Sequence, residues 1–209
     1  AEIADQFANT IWHAEFPILR TAPTPMLLLS KKVRESNIKV VITGEGADEF
    51  MAGYNIFKES KIRRFWAREP NSTFRTKLLE KLYPYLPMMK NPNNMALKMF
   101  FGYKLTETND PLYSHLLRWH NTSRIKTYFS EDISAKTDGY NPLESIYPKL
   151  PNNFMRWSDL AKSQYLEATI FMSGYLLSSQ GDRMAMGNSV EGRYPFLDYR
   201  VIEFCGNLP

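Results

Sequence analysis

The sequence predicts an α/β fold that is dominated by helices and contains one clear parallel strand. A β-branched, apolar run at 38–43 is followed by a glycine-rich turn at 44–46 and a new helix start. A helical pattern over 26–35 precedes this strand. Helix, strand, glycine turn and helix in this order are typical of a parallel sheet. After Tyr54 the strand signal almost vanishes and mostly helical patterns remain.

Local signals define the elements around the strand. Thr24 is expected to cap a helix that carries Pro25 in its first turn and continues over 26–35, and Asn37 ends it. The apolar run at 38–43 is typical of a strand buried in the centre of a parallel sheet. Because one strand cannot form a sheet, its partners are expected outside this sequence, and the chain is interpreted as an excerpt of a larger enzyme.

The rest of the chain is predicted to be mostly helical. The basic stretch 58–68 is interpreted as a solvated helix face with Phe65 and Trp66 turned inward. Asp110 is expected to cap the helix that begins there. The further helices are predicted over 72–83, 91–101, 110–119 and 158–177.

Composition excludes several classes of protein. At 209 residues with 44% apolar residues and a net charge of +4, the chain fits an ordinary globular protein. The charge is spread, so no nucleic-acid partner is expected. No stretch is long and apolar enough for a membrane span, and no signal peptide is evident. The single cysteine, Cys205, excludes an internal disulfide and is compatible with the expected cytoplasmic location.

The first candidate site is the turn between the strand and the following helix. Gly44 and Gly46 allow a sharp turn and close approach of a ligand to the backbone. Glu45, Asp48 and Glu49 lie around the helix start, where a phosphate could bind and a carboxylate could hold Mg²⁺. The alternative is a tight turn whose acids favour the helix dipole. Glu45 lies before the helix and is harder to explain in that way.

The second candidate site is the charged segment 182–198. Asp182 can cap a short helix, and the segment Glu191-Gly192-Arg193 is predicted to form a turn. Charges of alternating sign among apolar residues are seldom buried without a partner. They form either an ion-pair network that pins a loop or the wall of a site that faces a nucleotide or charged substrate.

Taken together, the two segments resemble motifs of the glutamine-hydrolysing asparagine synthetase family. Residues 43–54 resemble its S/T-G-E-G-x-D-E-x-x-x-G-Y motif, and 182–198 resemble its D-R-M-x-M-x-x-x-x-E-x-R-x-P-F-L-D motif. The resemblance covers essentially the whole chain but is weak from about 57 to 153. It implies an adenine-nucleotide α-hydrolase-like (ATP pyrophosphatase) domain, with 1–209 as part of the C-terminal synthetase domain.

The resemblance also implies a reaction and its cofactors. The family adenylates the side-chain carboxylate of aspartate with ATP and Mg²⁺, and ammonia from a glutaminase domain then displaces AMP to give asparagine. It allows a homodimer of the parent protein. Carried over by position, Thr43 and Gly44 match backbone contacts to the adenylate, and Glu45 matches an acid that contacts the intermediate and handles the ammonia proton.

The remaining roles implied by the resemblance are less direct. Asp48 matches a magnesium ligand, and Asp182 belongs to the wall expected to face the nucleotide. Glu191 and Arg193 match the second motif and are the other catalytic candidates.

The sequence also departs from the family. The upstream Ser-Gly-Gly-x-Asp-Ser pyrophosphate loop and the N-terminal cysteine glutaminase domain are absent, and the family's downstream lysine would fall beyond Pro209. This chain alone is therefore expected to lack synthetase activity. Two alternatives stay open: the same adenylation of another carboxylate or acceptor, as in β-lactam-forming synthetases and amidotransferases of sugar or secondary-metabolite pathways, or a catalytically dead nucleotide-binding module.

Overall fold

The computed structural model describes residues 2–90 and 95–208, which divide into two compact units. Unit 1 contains Ala1–Gly53 and Gln164–Pro209, and unit 2 contains Tyr54–Ser163. The assignment of 1–209 to one partial synthetase domain stays a prediction. In the described ranges, no helix is both long and apolar enough to cross a lipid bilayer.

The described residues form short helices and two strands. The strands are β1 (Val40–Ile42) and β2 (Glu191–Arg193). The α-helices are α1 (Glu2–Asp5), α2 (Phe7–Ala14), α3 (Pro23–Glu35), α4 (Ala47–Phe50), α5 (Asn55–Ala67), α6 (Met95–Phe101), α7 (Tyr113–Ser123), α8 (Glu131–Lys136), α9 (Asp159–Leu166), α10 (Arg183–Met186) and α11 (Tyr199–Gly206). A π-helix spans Glu167–Asp182, and 3₁₀ helices span Arg75–Lys81, Pro87–Lys90, Arg124–Tyr128, Pro142–Ser145, Tyr147–Lys149, Phe154–Arg156 and Pro195–Leu197.

The helix before β1 exists as predicted, but its start differs. Helix α3 begins at Pro23, and Thr24 is buried inside its first turn rather than capping it. Proline fits this position because it has no N–H that would need a partner there. Asn37 follows the helix with a positive φ of 60°, which ends the helical path as expected.

The partner strand of β1 lies inside the chain, so the prediction that all its partners lie outside is wrong. Strand β2 pairs with β1 in parallel, with Val41 opposite Gly192. The interpretation of Glu191-Gly192-Arg193 as a turn is therefore also wrong. These three residues carry no apolar strand pattern, and only the pairing with β1 makes them a strand.

The prediction of a fully buried central strand is also wrong for β1. The side chain of Ile42 is 75% exposed and that of Val40 is 38% exposed. A parallel strand is buried only when helices or further strands cover both of its faces. Among the described residues, β2 alone pairs with β1.

The long helix predicted over 158–177 is observed, but most of it is π-helical. Ser158 Oγ accepts a hydrogen bond from the N–H of Ala161 (3.1 Å), and α9 then runs into the π-helix. The Thr169 hydroxyl donates to the carbonyl of Tyr165 four residues earlier, at 2.7 Å. Such side-chain bonds compete with the regular backbone ladder and favour its distortion.

Unit 2 confirms that helices dominate and corrects their details. Trp66 is buried at 6% exposure, whereas Phe65 is 37% exposed under the guanidinium of Arg75, so the inward orientation of Phe65 was wrong. The stretch 72–83 forms only the short 3₁₀ helix, and residues 91–94 of the next predicted helix lie outside the described residues. The Asp110 carboxylate accepts a hydrogen bond from the N–H of Leu112 at 2.7 Å, but α7 begins at Tyr113 with Leu112 at its N-cap, so the prediction that Asp110 caps this helix was wrong.

Candidate functional site

The carboxyl ends of β1 and β2 lie side by side in unit 1. The N–H of Thr43 donates to the carbonyl of Arg193 at 3.0 Å, which extends the pairing one residue past β1. Glu45 and Tyr194 therefore follow two neighbouring parallel strands. Open α/β sheets bind ligands at this edge.

A cavity of about 240 Å³ lies beside the two strands. Most of its wall is apolar and comes from α3, the strands and α10, while polar groups come from the strand ends and from Ser30 on α3. Its lining residues are Met26, Leu29, Ser30, Val33, Val41, Ile42, Thr43, Glu45, Gly181, Met184, Ala185, Val190, Gly192 and Tyr194. An apolar pocket with a few polar groups suits a small molecule that has an apolar part.

Thr43 and Gly44, at this edge of the sheet, have a polar atom without a partner and open space, respectively. The hydroxyl oxygen of Thr43 is buried and has no hydrogen-bond partner in the described structure. A Cβ added to Gly44 would meet no atom within 4 Å. Buried polar atoms are normally paired, so the Thr43 hydroxyl and the open space at Gly44 fit a ligand that supplies a polar group.

Close packing explains why residues 46 and 53 are glycines. Gly46 is the N-cap residue just before α4 and has a φ of 91°. The side chain of Leu197 occupies the position where a Cβ of residue 46 would lie. The carboxylate of Asp48 fills the corresponding position at Gly53, whose N–H also donates to the Asp48 carbonyl at 2.9 Å. The spacing from Asp48 to Gly53 thus holds this carboxylate at the start of α4.

Glu45 is an acid of the site whose pKa is raised. Partial burial raises the pKa of its carboxyl above the ordinary value, and the negative charges of Glu49 and Asp48 raise it further. Glu49 is almost fully buried, whereas Asp48 is exposed. A carboxylate with a raised pKa is suited to accept a proton near neutral pH.

The other predicted site residues are only partly brought together. Glu191 and Arg193 form an exposed ion pair with each other at 2.8 Å and do not line the cavity, although Gly192 between them does. Successive strand residues face opposite sides, which explains this division. Such an exposed pair adds little stability.

The expected helix-capping role of Asp182 is wrong. Asp182 has helical backbone angles at the end of the π-helix, and its side chain caps nothing. Its carboxylate accepts a hydrogen bond from the Tyr194 hydroxyl at 2.5 Å. Burial, this hydrogen bond and the charges of Asp182 and Glu45 raise the pKa of Tyr194, so its hydroxyl stays protonated as a donor.

The ion-pair network, one of the two alternatives for 182–198, is not observed among the described residues. Arg183 donates to the carbonyl of Ala14 instead, and Asp198 pairs with Arg200 at 2.8 Å. The charged side chains of this segment therefore make separate contacts rather than one network.

Sequence reasoning missed Tyr194 and the apolar cavity wall. Tyr194 stood inside the second motif, but neither its neighbours nor its spacing distinguishes it from a core tyrosine. The wall residues Met26 and Met184 come from distant parts of the chain, so no local pattern groups them. Only the packing of α10 on α3 does so, where the Ser30 hydroxyl donates to the Met184 carbonyl at 2.6 Å.

The acids of the turn do not form a complete metal site by themselves. Across 2–90 and 95–208, no three His, Cys, Asp or Glu side chains converge as metal ligands. Mg²⁺ is commonly held by one or two carboxylates together with substrate phosphates. The exposed carboxylate of Asp48 fits one such ligand position.

Similarity to known proteins extends along essentially the whole chain. The family model described as asparagine synthase matches residues 1–209. The protein named amidase chyE of Penicillium rubens is 30% identical over 223 residues, which cover 99% of this chain and 31% of that protein. No solved structure gives a significant match.

Two synthetases are also similar. Asparagine synthetase [glutamine-hydrolyzing] 1 of Bacillus subtilis is 27% identical over 100% of this chain and 30% of its own length. The nodule asparagine synthetase [glutamine-hydrolyzing] of Pisum sativum is 39% identical over 67 residues, or 31% of this chain and 11% of that protein. The chain thus spans about a third of the length of the relatives matched along all of it.

Proposed function

We propose that this chain, which belongs to the asparagine synthase family, forms the nucleotide-binding and carboxylate-activating part of an ATP-dependent amidotransferase. The observation that carries the proposal is the cavity at the carboxyl ends of β1 and β2. It combines an apolar wall with the unpartnered hydroxyl of Thr43 and the perturbed carboxyl of Glu45. An adenine base fits the apolar part, and the adenylate fits the polar end.

The proposed reaction has two steps. A carboxylate oxygen of the substrate attacks the α-phosphorus of ATP, the bond to the β-phosphate oxygen breaks, and pyrophosphate leaves. Ammonia then attacks the carbonyl carbon of the acyl-adenylate, loses a proton and displaces AMP. The products are an amide, AMP and pyrophosphate, and for aspartate the amide is asparagine.

The residues of this chain have distinct roles in the proposal. Thr43 and Gly44 hold the adenylate, through the free hydroxyl and the open space beside the backbone. Glu45 accepts the proton of the attacking ammonia, for which its raised pKa is suited. Asp48 would hold Mg²⁺, which neutralises the charge of pyrophosphate as it leaves.

Three predicted residues stand further from the reacting atoms. Asp182 acts on the site through its hydrogen bond to Tyr194. Glu191 and Arg193 face away from the cavity, so we propose that they support the edge of the sheet or meet a substrate from outside the cavity. Glutamine, through a glutaminase domain, is the proposed ammonia source because the B. subtilis and P. sativum relatives are named glutamine-hydrolyzing.

A second candidate changes the acceptor and keeps the chemistry. The similarity to proteins named amidase in P. rubens and Gibberella zeae favours it, since these cover 99% of the chain at 30% and 27% identity. In this candidate the same site adenylates another carboxylate or serves another acceptor.

The test is magnesium-dependent exchange between ATP and labelled pyrophosphate, with the full-length protein that contains this chain. Aspartate is compared with other carboxylates, and Asp48→Asn is compared with the exposed control Asp138→Asn. Exchange that requires aspartate and falls in Asp48→Asn supports the proposed asparagine synthetase activity. Exchange that occurs only with another carboxylate supports the second candidate function. No exchange with any carboxylate, in a protein that still binds ATP, means a catalytically dead nucleotide-binding module.

A further inference from the structure

Tyr194 is the aromatic side chain among the described lining residues of the cavity. It follows β2 directly and is half-buried. Its hydroxyl donates to the Asp182 carboxylate at 2.5 Å. The ring is therefore held at the end where the apolar wall meets Thr43 and Glu45.

The position of this ring depends on a glycine two residues earlier. A Cβ built on Gly192 would lie 2.5 Å from the Tyr194 hydroxyl oxygen and 2.9 Å from its Cζ. Both distances are shorter than van der Waals contact permits, so an alanine at 192 would force the ring away. The phenol thus folds back along its own strand into space that exists only because residue 192 has no side chain.

A second glycine borders the same hydroxyl. A Cβ on Gly181 would lie 3.5 Å from the Tyr194 oxygen, an ordinary contact distance. Gly181 precedes Asp182, so the acceptor carboxylate and the glycine flank the phenol together. The ring is held by one strong hydrogen bond to a charged group, and the missing side chain at Gly192 leaves the space that it occupies.

We propose that Tyr194 is a binding residue of the nucleotide site: Gly192 admits its ring into the cavity, Asp182 holds it there, and the ring forms the wall against which the base of ATP packs. An aromatic face packs well against a purine. The inference rests on the proposed function, and it adds a residue and a coupled glycine to which neither the motif nor the relatives assign a role.

The coupling of the two positions provides a sharp test. Gly192→Ala should displace the Tyr194 ring, so it should weaken ATP binding about as much as Tyr194→Val does. Once residue 194 is valine, no ring remains to be displaced. Gly192→Ala should then have no further effect, and the double variant should bind ATP like Tyr194→Val alone.

The measurement is calorimetric titration of the full-length protein with magnesium ATP, without a carboxylate substrate. Tyr194→Val is expected to raise the dissociation constant by about tenfold, in the range for loss of one base–aromatic contact. Tyr194→Phe keeps the ring and loses the bond to Asp182, so we expect an increase of about threefold. The matched control is Tyr128→Phe, because Tyr128 is 88% exposed.

Two further readouts separate nucleotide binding by Tyr194 from a purely structural role. In the exchange assay, Tyr194→Val should raise KM for ATP and leave kcat within about twofold, the signature of lost ground-state binding. Tyr194→Phe should melt only a few degrees below Tyr128→Phe, the change expected for one lost hydrogen bond. If Tyr194→Val does not fold, Tyr194→Phe and Gly192→Ala decide the question by themselves.

The outcomes distinguish this inference from the proposed reaction. Wild-type affinity in Tyr194→Val, or additive losses in the double variant, overturns the role of Tyr194 and leaves the proposed function standing. Wild-type protein that binds ATP but exchanges no pyrophosphate overturns the reaction and leaves the role of Tyr194 to be judged by affinity. Wild-type protein that binds no ATP overturns both.

Discussion

Two places in the molecule, one in each unit, differ in how their buried polar groups are paired. In unit 2, Arg63 is 1% exposed, and its guanidinium donates to the carbonyls of Phe101 (2.9 Å), Tyr103 and Tyr113 (3.4 Å) and stacks over the Tyr113 ring. In unit 1, the buried Thr43 hydroxyl has no partner, and Glu45 is partly buried beside two other acids.

A second example in unit 2 shows the same internal pairing. The buried carboxylate of Glu59 accepts hydrogen bonds from Tyr83 and Arg118. Burial and the bond to Glu59 raise the pKa of Tyr83 to about 12, so the phenol remains a donor at neutral pH. Buried groups with such partners stabilise a fold, whereas unpartnered or perturbed groups beside a cavity indicate a binding site.

The largest expected effect breaks the chemistry of unit 1. Glu45→Gln keeps the shape of the side chain and removes the base, so amide formation should fall by about a thousandfold. The measurement is the rate of amide release from ATP, carboxylate and ammonia by the full-length protein. Glu35→Gln, at an exposed position on α3, is the matched control, and a loss of less than tenfold (about 1.4 kcal/mol) in Glu45→Gln contradicts the role of a base.

The next effect breaks the packing of unit 2. Arg63→Met leaves the carbonyls of Phe101, Tyr103 and Tyr113 without their donor, so the free energy of unfolding should fall by about 3 kcal/mol. Urea denaturation measures this change. Arg124→Met, at an exposed position, should change it by less than about 0.5 kcal/mol. Equal losses in the two variants would mean that the buried guanidinium adds nothing to unit 2.

A third prediction compares two hydroxyl groups within unit 1. Thr43→Val removes a hydroxyl that has no partner, so stability should not fall, while KM for ATP should rise by about fivefold. Ser30→Ala removes the bond to the Met184 carbonyl and should cost about 1 kcal/mol of unfolding free energy. Thermal melts and exchange kinetics measure both variants. A stability loss in Thr43→Val as large as that in Ser30→Ala would show that its hydroxyl serves the fold.

The smallest effect concerns the pH dependence of stability. The folded-state pKa of Glu45 is raised by burial, Glu49 and Asp48, so this group favours folding when protonated and loses that contribution as pH rises through its folded pKa. Glu45→Gln should therefore be more stable than wild type at pH 7, by no more than about 1 kcal/mol because solvent screens the half-buried group. Urea denaturation should show the gain disappear below about pH 4, where wild-type Glu45 is protonated in both states. A gain that persists at low pH would contradict the electrostatic cause.

Part of the candidate site could be predicted from local sequence. The strand at 40–42, the glycine turn and the short helix with Asp48 are all observed, because steric limits on φ and apolar patterning act within a few residues. The N-terminal motif and the C-terminal motif also identified the family that the chain belongs to. Local signals failed where a contact further along the chain decided the outcome, as for Phe65 beneath Arg75.

Local patterns in the chain specify the strand at 40–42, the glycine turn, the helical character of most of the chain and Glu45 as an acid beside the cavity. The packing of distant segments makes Glu191–Arg193 a strand, places the ring of Tyr194 over Gly192 and brings Asp182 to its hydroxyl. The two groups of features differ in how far apart along the chain the interacting residues lie. Turn geometry depends on neighbouring residues, whereas the pairing of residue 40 with residue 191 depends on how helices pack between them, and no local pattern encodes that packing.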